Sequence, residues 1–125
     1  MKKFKKVLLI DDNAIDIYVN KYMLEKAHVA ESIVSFTSGL DAMDYLSSSP
    51  VDSSDLILLD IQMPVMNGFE FLKKLENEIQ SSSLPKIIML SSSQNEKDFS
   101  VFSKNNLVSG YIIKPLSPEK IGKHI

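Results

Sequence analysis

Three short apolar runs punctuate the chain and end alike. Lys6-Val-Leu-Leu-Ile-Asp11 stops on a pair of acids, Asp55-Leu-Ile-Leu-Leu-Asp60 on one, and Lys86-Ile-Ile-Met-Leu-Ser91 on a run of serines. Each is too brief for a helix and rich in aliphatic residues, which predicts strands buried on both faces. Between them the period changes. Ile15, Val19, Tyr22, Met23 and Ala27 recur at spacings of three and four, with Asp16, Asn20, Lys21 and Glu25 between, so an amphipathic helix with that apolar stripe is expected from Ala14 onward. Ser32 to Thr37 alternates around Ile33, Val34 and Phe36, a second strand. Ser38-Gly39 then opens a helix carrying Leu40, Met43 and Leu46. Ser47 to Ser54, with Pro50, has no period and predicts a surface loop.

After Asp60, Pro64 and Asn67-Gly68 forbid continuation of a strand or helix, so the chain must turn. Phe71, Leu72, Leu75 and Ile79 predict a third helix, ended by Ser81 to Pro85, and Phe99 with Phe102 marks a weaker helix behind the fourth strand. Ser109 to Lys114 is the last strand. Pro115 breaks it, and Ser117-Pro118-Glu119 has the cap and first-turn proline that start a helix, with Ile121 and Ile125 on its inner face. Strict strand–helix alternation implies an α/β fold in three layers: a doubly wound (βα)5 domain with a five-stranded parallel sheet, because parallel neighbours need crossovers. The common flavodoxin-like order is 2-1-3-4-5, and ligands of such folds sit outside the carboxyl ends of the strands.

Composition narrows the picture. A chain of 125 residues, 44% hydrophobic, has room for one domain, residues 1–125, and a real core. The net charge is only -2, and every one of the 14 cations is Lys, so binding nucleic acid by bulk positive charge is not expected. Without Cys there is no disulfide, thiolate metal site or cysteine nucleophile. No apolar run approaches the roughly twenty residues of a membrane span, and the basic start Met1 to Lys6 leads into acids rather than a cleavage site, so a cytoplasmic protein is expected. No Gly-rich nucleotide cradle is present. Neither His28 nor His124 has the spacing of a zinc site or triad.

The chemistry lies at the strand ends, where Asp11, Asp12, Asp60, Ser91 and Lys114 should converge. With the first and third strands adjacent, three carboxylates meet. Each like-charged pair at about 4 Å costs on the order of 4 kcal/mol at an effective dielectric near 20. Lys114 offsets one charge and a divalent ion the other two. Oxygen-only ligands favour Mg²⁺, or Mn²⁺, and Mg²⁺ accepts one or two carboxylates plus a phosphate oxygen. A carboxylate in that setting can attack a phosphoryl group, turning Asp60 into an aspartyl phosphate. Single residues also have plainer readings. Asp12 before Asn13 could be a helix cap, Lys114 a surface cation, Ser92 the relevant hydroxyl in place of Ser91, and Tyr111 a half-buried strand aromatic.

Together these residues closely resemble the receiver domain of bacterial response regulators, the family of the chemotaxis protein CheY. Asp11-Asp12 is similar to its acidic pair, Asp60 in Asp60-Ile-Gln-Met-Pro64 to its phosphoacceptor, Asn67-Gly68 to its following turn, Ser91 to its hydroxyl residue and Lys114-Pro115 to its Lys-Pro. The resemblance implies Mg²⁺ ligation by Asp12 and Asp60 directly, Asp11 through water and Gln62 by its backbone carbonyl. It implies phosphoryl binding by Ser91 and Lys114, and a switch made of Ser91 and Tyr111. It implies as partners a sensor histidine kinase or phosphotransfer protein and a downstream protein, with the fourth and fifth units as the place for any homodimer. Such a domain is a signalling element, not a metabolic enzyme. Asn67 replaces a common Asp and Ser91 a common Thr, the Ser47 to Ser54 loop is expected to be long, and the last helix is expected to be short or cut at residue 125. Two other functions compete: a phosphorylation-independent interaction module, and a metal-dependent phosphatase, against which stands Gln62 in place of a proton-transferring acid.

Overall fold

The computed structural model describes residues 4–78, 84–92 and 105–124. Five strands, β1 (Phe4–Ile10), β2 (Ala30–Phe36), β3 (Asp55–Asp60), β4 (Lys86–Ser91) and β5 (Val108–Ile113), form one sheet in the order β2-β1-β3-β4-β5. Every pairing is parallel. Among the described residues the helices are α1 (Ala14–Ala27), α2 (Gly39–Ser48), α3 (Gly68–Glu78) and α4 (Pro118–Gly122). This is the expected doubly wound architecture.

Alternation along the strands explains why the apolar runs are continuous. Leu8 and Ile10 of β1, Ile57 and Leu59 of β3, and Ile87 and Met89 of β4 join one cluster with Ala42 and Leu46 of α2 and Phe71, Leu72 and Leu75 of α3. Val7 and Leu9, Leu56 and Leu58, Ile88 and Leu90, and Ile112 of β5 join the other, with Leu24 of α1 and Ile121 of α4. The inner strands β1, β3 and β4 therefore feed two cores and stay apolar up to the strand end, whereas the edge strands carry exposed Glu31, Ser32 and Ser35 in β2 and Ser109 in β5.

Three expectations need correction. In α1, Ile15 (74% exposed) and Tyr22 (56%) do not face the core, while Asn20, read as a spacer, is buried beside Leu24. The helix is apolar on nearly every side, so periodicity alone does not orient it. Its setting is fixed instead by its start, where the Asn13 side chain accepts hydrogen bonds from the backbone N–H groups of Ile15 and Asp16. In α2 the inner residues are Gly39, Ala42 and Leu46, with Leu40 exposed. The loop before β3 is shorter than expected because Ser47 and Ser48 belong to α2, and it is anchored by buried Val51. At α4, Ser117 accepts from the Lys120 N–H and Pro118 opens the helix, as expected. The helix expected around Phe99 and Phe102, and the packing of Ile79 and Ile125, lie outside the described residues.

Candidate functional site

The alternation that builds the cores also selects which side chains meet at the top of the sheet. Counting by twos from Val7 and Leu9 leads to Asp11, from Leu56 and Leu58 to Asp60, and from Ile112 to Lys114; all continue the α1-facing set. Ladder bonds persist past the strands and hold these positions. The Asp11 N–H donates to the Phe36 carbonyl at 3.1 Å, Ile61 N–H to Leu90 at 3.0 Å, and Lys114 N–H to Ser91 at 2.7 Å. Behind Asp60 the chain doubles back. Gly68 N–H reaches the Ile61 carbonyl at 2.8 Å, and a Cβ on Gly68 would stand 3.0 Å from both the Asp60 carbonyl oxygen and Ile61 Cα, so a larger residue would push on the strand end. Asn67 and Glu70 cap α3 reciprocally, each side chain accepting from the other's backbone N–H. The turn thus needs the capping oxygen that Asn67 provides.

Asp11, Asp12 and Asp60 each present a carboxylate oxygen within 4.8 Å of the others. Asp11 and Asp60 are buried and Asp12 is exposed. The plain reading of Asp12 as a helix cap fails, since Asn13 holds that place. Asp11 supports the turn as well, its Oδ1 accepting from the Asn13 N–H at 2.9 Å. Lys114 Nζ lies 2.6 Å from Asp11 Oδ2, 3.0 Å from Asp16 Oδ2 and 3.4 Å from Asp60 Oδ1. One ammonium therefore faces three carboxylates, with a fourth, Asp12, beside them.

The imbalance registers in the acidities. Burial above all, then the Asp11 charge, pushes the Asp60 carboxyl up to about 6 from an ordinary 3.8, against the pull of Lys114. Burial works against the Lys114 cation, yet its hydrogen bonds to Asp11 and Asp16 prevail and hold its pKa above the ordinary lysine value. A pocket of hard oxygen donors with surplus negative charge fits a small divalent cation such as Mg²⁺.

The remaining candidates take these places. Ser91 ends β4, buried, and Tyr111 sits half-buried in β5 opposite Met89 and packed on the α2/α3-side core. By alternation Ser91 belongs with Ile87 and Met89, on the same side of the sheet as Tyr111. Ser92 turns to the other side, lining a cleft of about 330 Å³ with Asp16, Val19, Asn20, Lys114 and Pro115. Gln62 is exposed two residues beyond Asp60, and Met63 and Met66 pack beneath that loop. Asp16 was not foreseen as a partner of Lys114. The signal was its position in the first turn of α1, three residues after the Asn13 cap and just past the Asp11-Asp12 pair.

Comparison with known proteins agrees with this fold. The response regulator receiver domain family matches residues 7–125. Protein PilH of Pseudomonas aeruginosa is 30% identical over 96% of this chain and 93% of that protein. Hybrid signal transduction histidine kinase L of Dictyostelium discoideum is 34% identical over 96% of this chain, which spans only 7% of that kinase. A two component response regulator from Cytophaga hutchinsonii superposes with a TM-score of 0.86 at 29% identity, covering 98% of this chain and 94% of that one. Because the family match covers residues 7–125, nearly the whole chain with Asp11, Asp12, Asp60 and Lys114, this chain belongs to the response regulator receiver domain family of two-component signalling.

Proposed function

We propose that residues 1–125 act as one phosphoacceptor switch, in which Asp60 takes a phosphoryl group from the phosphohistidine of a sensor histidine kinase or phosphotransfer protein in the cytoplasm. The observation that carries this reading is the meeting of three carboxylates within 4.8 Å beside the Lys114 ammonium. An Asp60 carboxylate oxygen attacks phosphorus, the P–N bond to imidazole breaks, and the imidazole leaves with its electron pair and is protonated. Asp12 and Asp60 by side chain, Asp11 through water and Gln62 by its carbonyl would hold the cation. Bound there, Mg²⁺ or Mn²⁺ supplies charge neutralisation for the phosphoryl oxygens. Lys114 pairs with one phosphoryl oxygen and Ser91 donates to another. The ionised form of Asp60 is the nucleophile, so a carboxyl held at about 6 is ready near neutral pH.

Transfer replaces one carboxylate charge by about two phosphoryl charges and three new acceptors. Drawing the Ser91 hydroxyl toward them would alter the environment of Tyr111 on the same side of the sheet, and the changed surface of the fourth and fifth units would engage a downstream protein or a second copy. Incubation with acetyl phosphate and Mg²⁺ should add one phosphoryl group by intact mass, and Asp60→Asn should add none. Equal labelling of both proteins overturns the assignment. Failure of both to label would favour an interaction module that works without phosphorylation.

A further inference from the structure

We propose that Asp16 is a positioning residue for Lys114: it draws the ammonium toward α1, restraining phosphoryl transfer to Asp60 and shortening the life of the product. This rests on the phosphoacceptor reading above and adds a regulator to it. Asp16 Oδ2 is closer to Lys114 Nζ (3.0 Å) than Asp60 Oδ1 is (3.4 Å), so the resting ammonium lies on the helix side of the pocket. An ammonium has three donors, and three carboxylates already claim them. On transfer the donor facing Asp60 at 3.4 Å passes to the phosphoryl group, and drawing the ammonium fully onto that group moves it away from Asp11 or Asp16.

Asp16 is the partner that yields at least cost. Asp11 makes the shortest contact and its side chain is fully buried, so losing its cation would strand a buried charge. The Asp16 side chain is 38% exposed and water can take over its solvation. Both members of the pair line a cleft with Val19, Asn20, Ser92 and Pro115, so their contact lies at the open side of the pocket rather than within a core. The resting place of Asp16 is nonetheless defined, because its N–H is held at 3.1 Å by the Asn13 cap in the first turn of α1. Asp16 competes with the phosphoryl group for Lys114, and its charge also opposes the approach of a second anion. At the same time it adds to the negative field that attracts a divalent cation.

The test compares the parent with Asp16→Asn and Asp16→Glu. At saturating Mg²⁺, Asp16→Asn should be labelled by acetyl phosphate about three- to fivefold faster and lose its phosphoryl group more slowly by a similar factor, the range set by a partly exposed ion pair. Half-saturation by Mg²⁺ should move the opposite way, to higher concentration, a split that loss of helix stability alone would not produce. Asp16→Glu, which keeps the charge, should stay near the parent. In protein carrying ¹³C-lysine, the Lys114 Cε resonance should shift in Asp16→Asn before any phosphorylation. A labelled parent whose Asp16→Asn variant reacts and decays at the parent rates, or whose Lys114 resonance stays put, overturns the role of Asp16 and leaves Asp60 as acceptor. A parent that is not labelled at all removes the phosphoacceptor reading and this inference with it.

Discussion

Replacing Asp60 by Asn should make the metal-free protein more stable near neutral pH, although it removes the group on which the site turns. Burial first, and then the Asp11 charge, lift the folded carboxyl to about 6 from 3.8. The unfolded chain ionises around the lower value and the folded one around the higher, so the folded state binds this proton more tightly. Below about pH 4 both states are protonated and Asp60 carries no ionisation penalty. As pH rises through about 6 the penalty grows to its full size. One pKa unit corresponds to about 1.4 kcal/mol, so a gap of about two units amounts to roughly 3 kcal/mol near pH 7. Asparagine keeps the shape and removes the charge, while Lys114 retains Asp11 and Asp16 as partners.

Urea unfolding of parent and Asp60→Asn across pH in the presence of a chelator measures the effect directly. The variant is expected to be more stable by about 2–3 kcal/mol near pH 7, with the difference closing toward pH 4. Adding Mg²⁺ should narrow it from the other side, because a cation bound only by the folded state stabilises the parent more than a variant lacking one carboxylate. Equal stabilities near neutral pH, or a difference that ignores pH, would refute the argument that Asp60 is buried in a field of excess negative charge.

Other parts of the fold give separate tests. Asn20 Nδ2 is buried with no hydrogen-bond partner among the described residues, so Asn20→Leu should raise the thermal midpoint by an amount equivalent to about 1 kcal/mol, and a fall would show that the amide is satisfied after all. Val65 adopts φ 67 on an exposed turn, a conformation costly for a β-branched residue. Val65→Gly should stabilise by about 1 kcal/mol in urea unfolding. Asn13→Ala removes the oxygen that accepts from the Ile15 and Asp16 N–H groups and should lower stability by about 1 kcal/mol in the same assay.

What could be read from the letters follows from which residues had few alternatives. Leu56 to Leu59 is buried on both sides of the sheet, which leaves an uninterrupted apolar run whose end marks where polar chemistry can begin. Asp11, Asp60 and Lys114 were therefore legible as strand ends. Helix α1 was different. With Ile15, Ile17, Tyr18, Val19, Tyr22 and Met23 spread around it, several stripes fit equally well, and only the Asn13 cap and the reach of Asp16 to Lys114 decide which face turns inward. That is why Asn20 was misplaced and Asp16 was read as a spacer. The left-handed turn at Val65 was hidden for another reason, since a β-branched residue is the opposite of the usual sequence signal for positive φ.

The same alternation explains why folding and the proposed phosphoryl chemistry pull against each other here. Burying Leu58 and Leu90 against α1 brings the end of β3 into the interior, and the next α1-facing residue along β3 is Asp60. Folding thus drives a carboxylate into a place where its charge is disfavoured, and Lys114, shared with Asp11 and Asp16, corrects only part of it. A penalty of roughly 3 kcal/mol is close to what a ligand contributes at about a hundred times its Kd, about 2.7 kcal/mol. A bound cation at ordinary excess can therefore just offset it, and the site is left responsive to occupancy rather than locked in either state. A more soluble-looking acceptor at the open edge of the sheet would escape the penalty, but it would have no repulsion for a cation or a lysine to relieve and no buried neighbour through which a new charge could be felt.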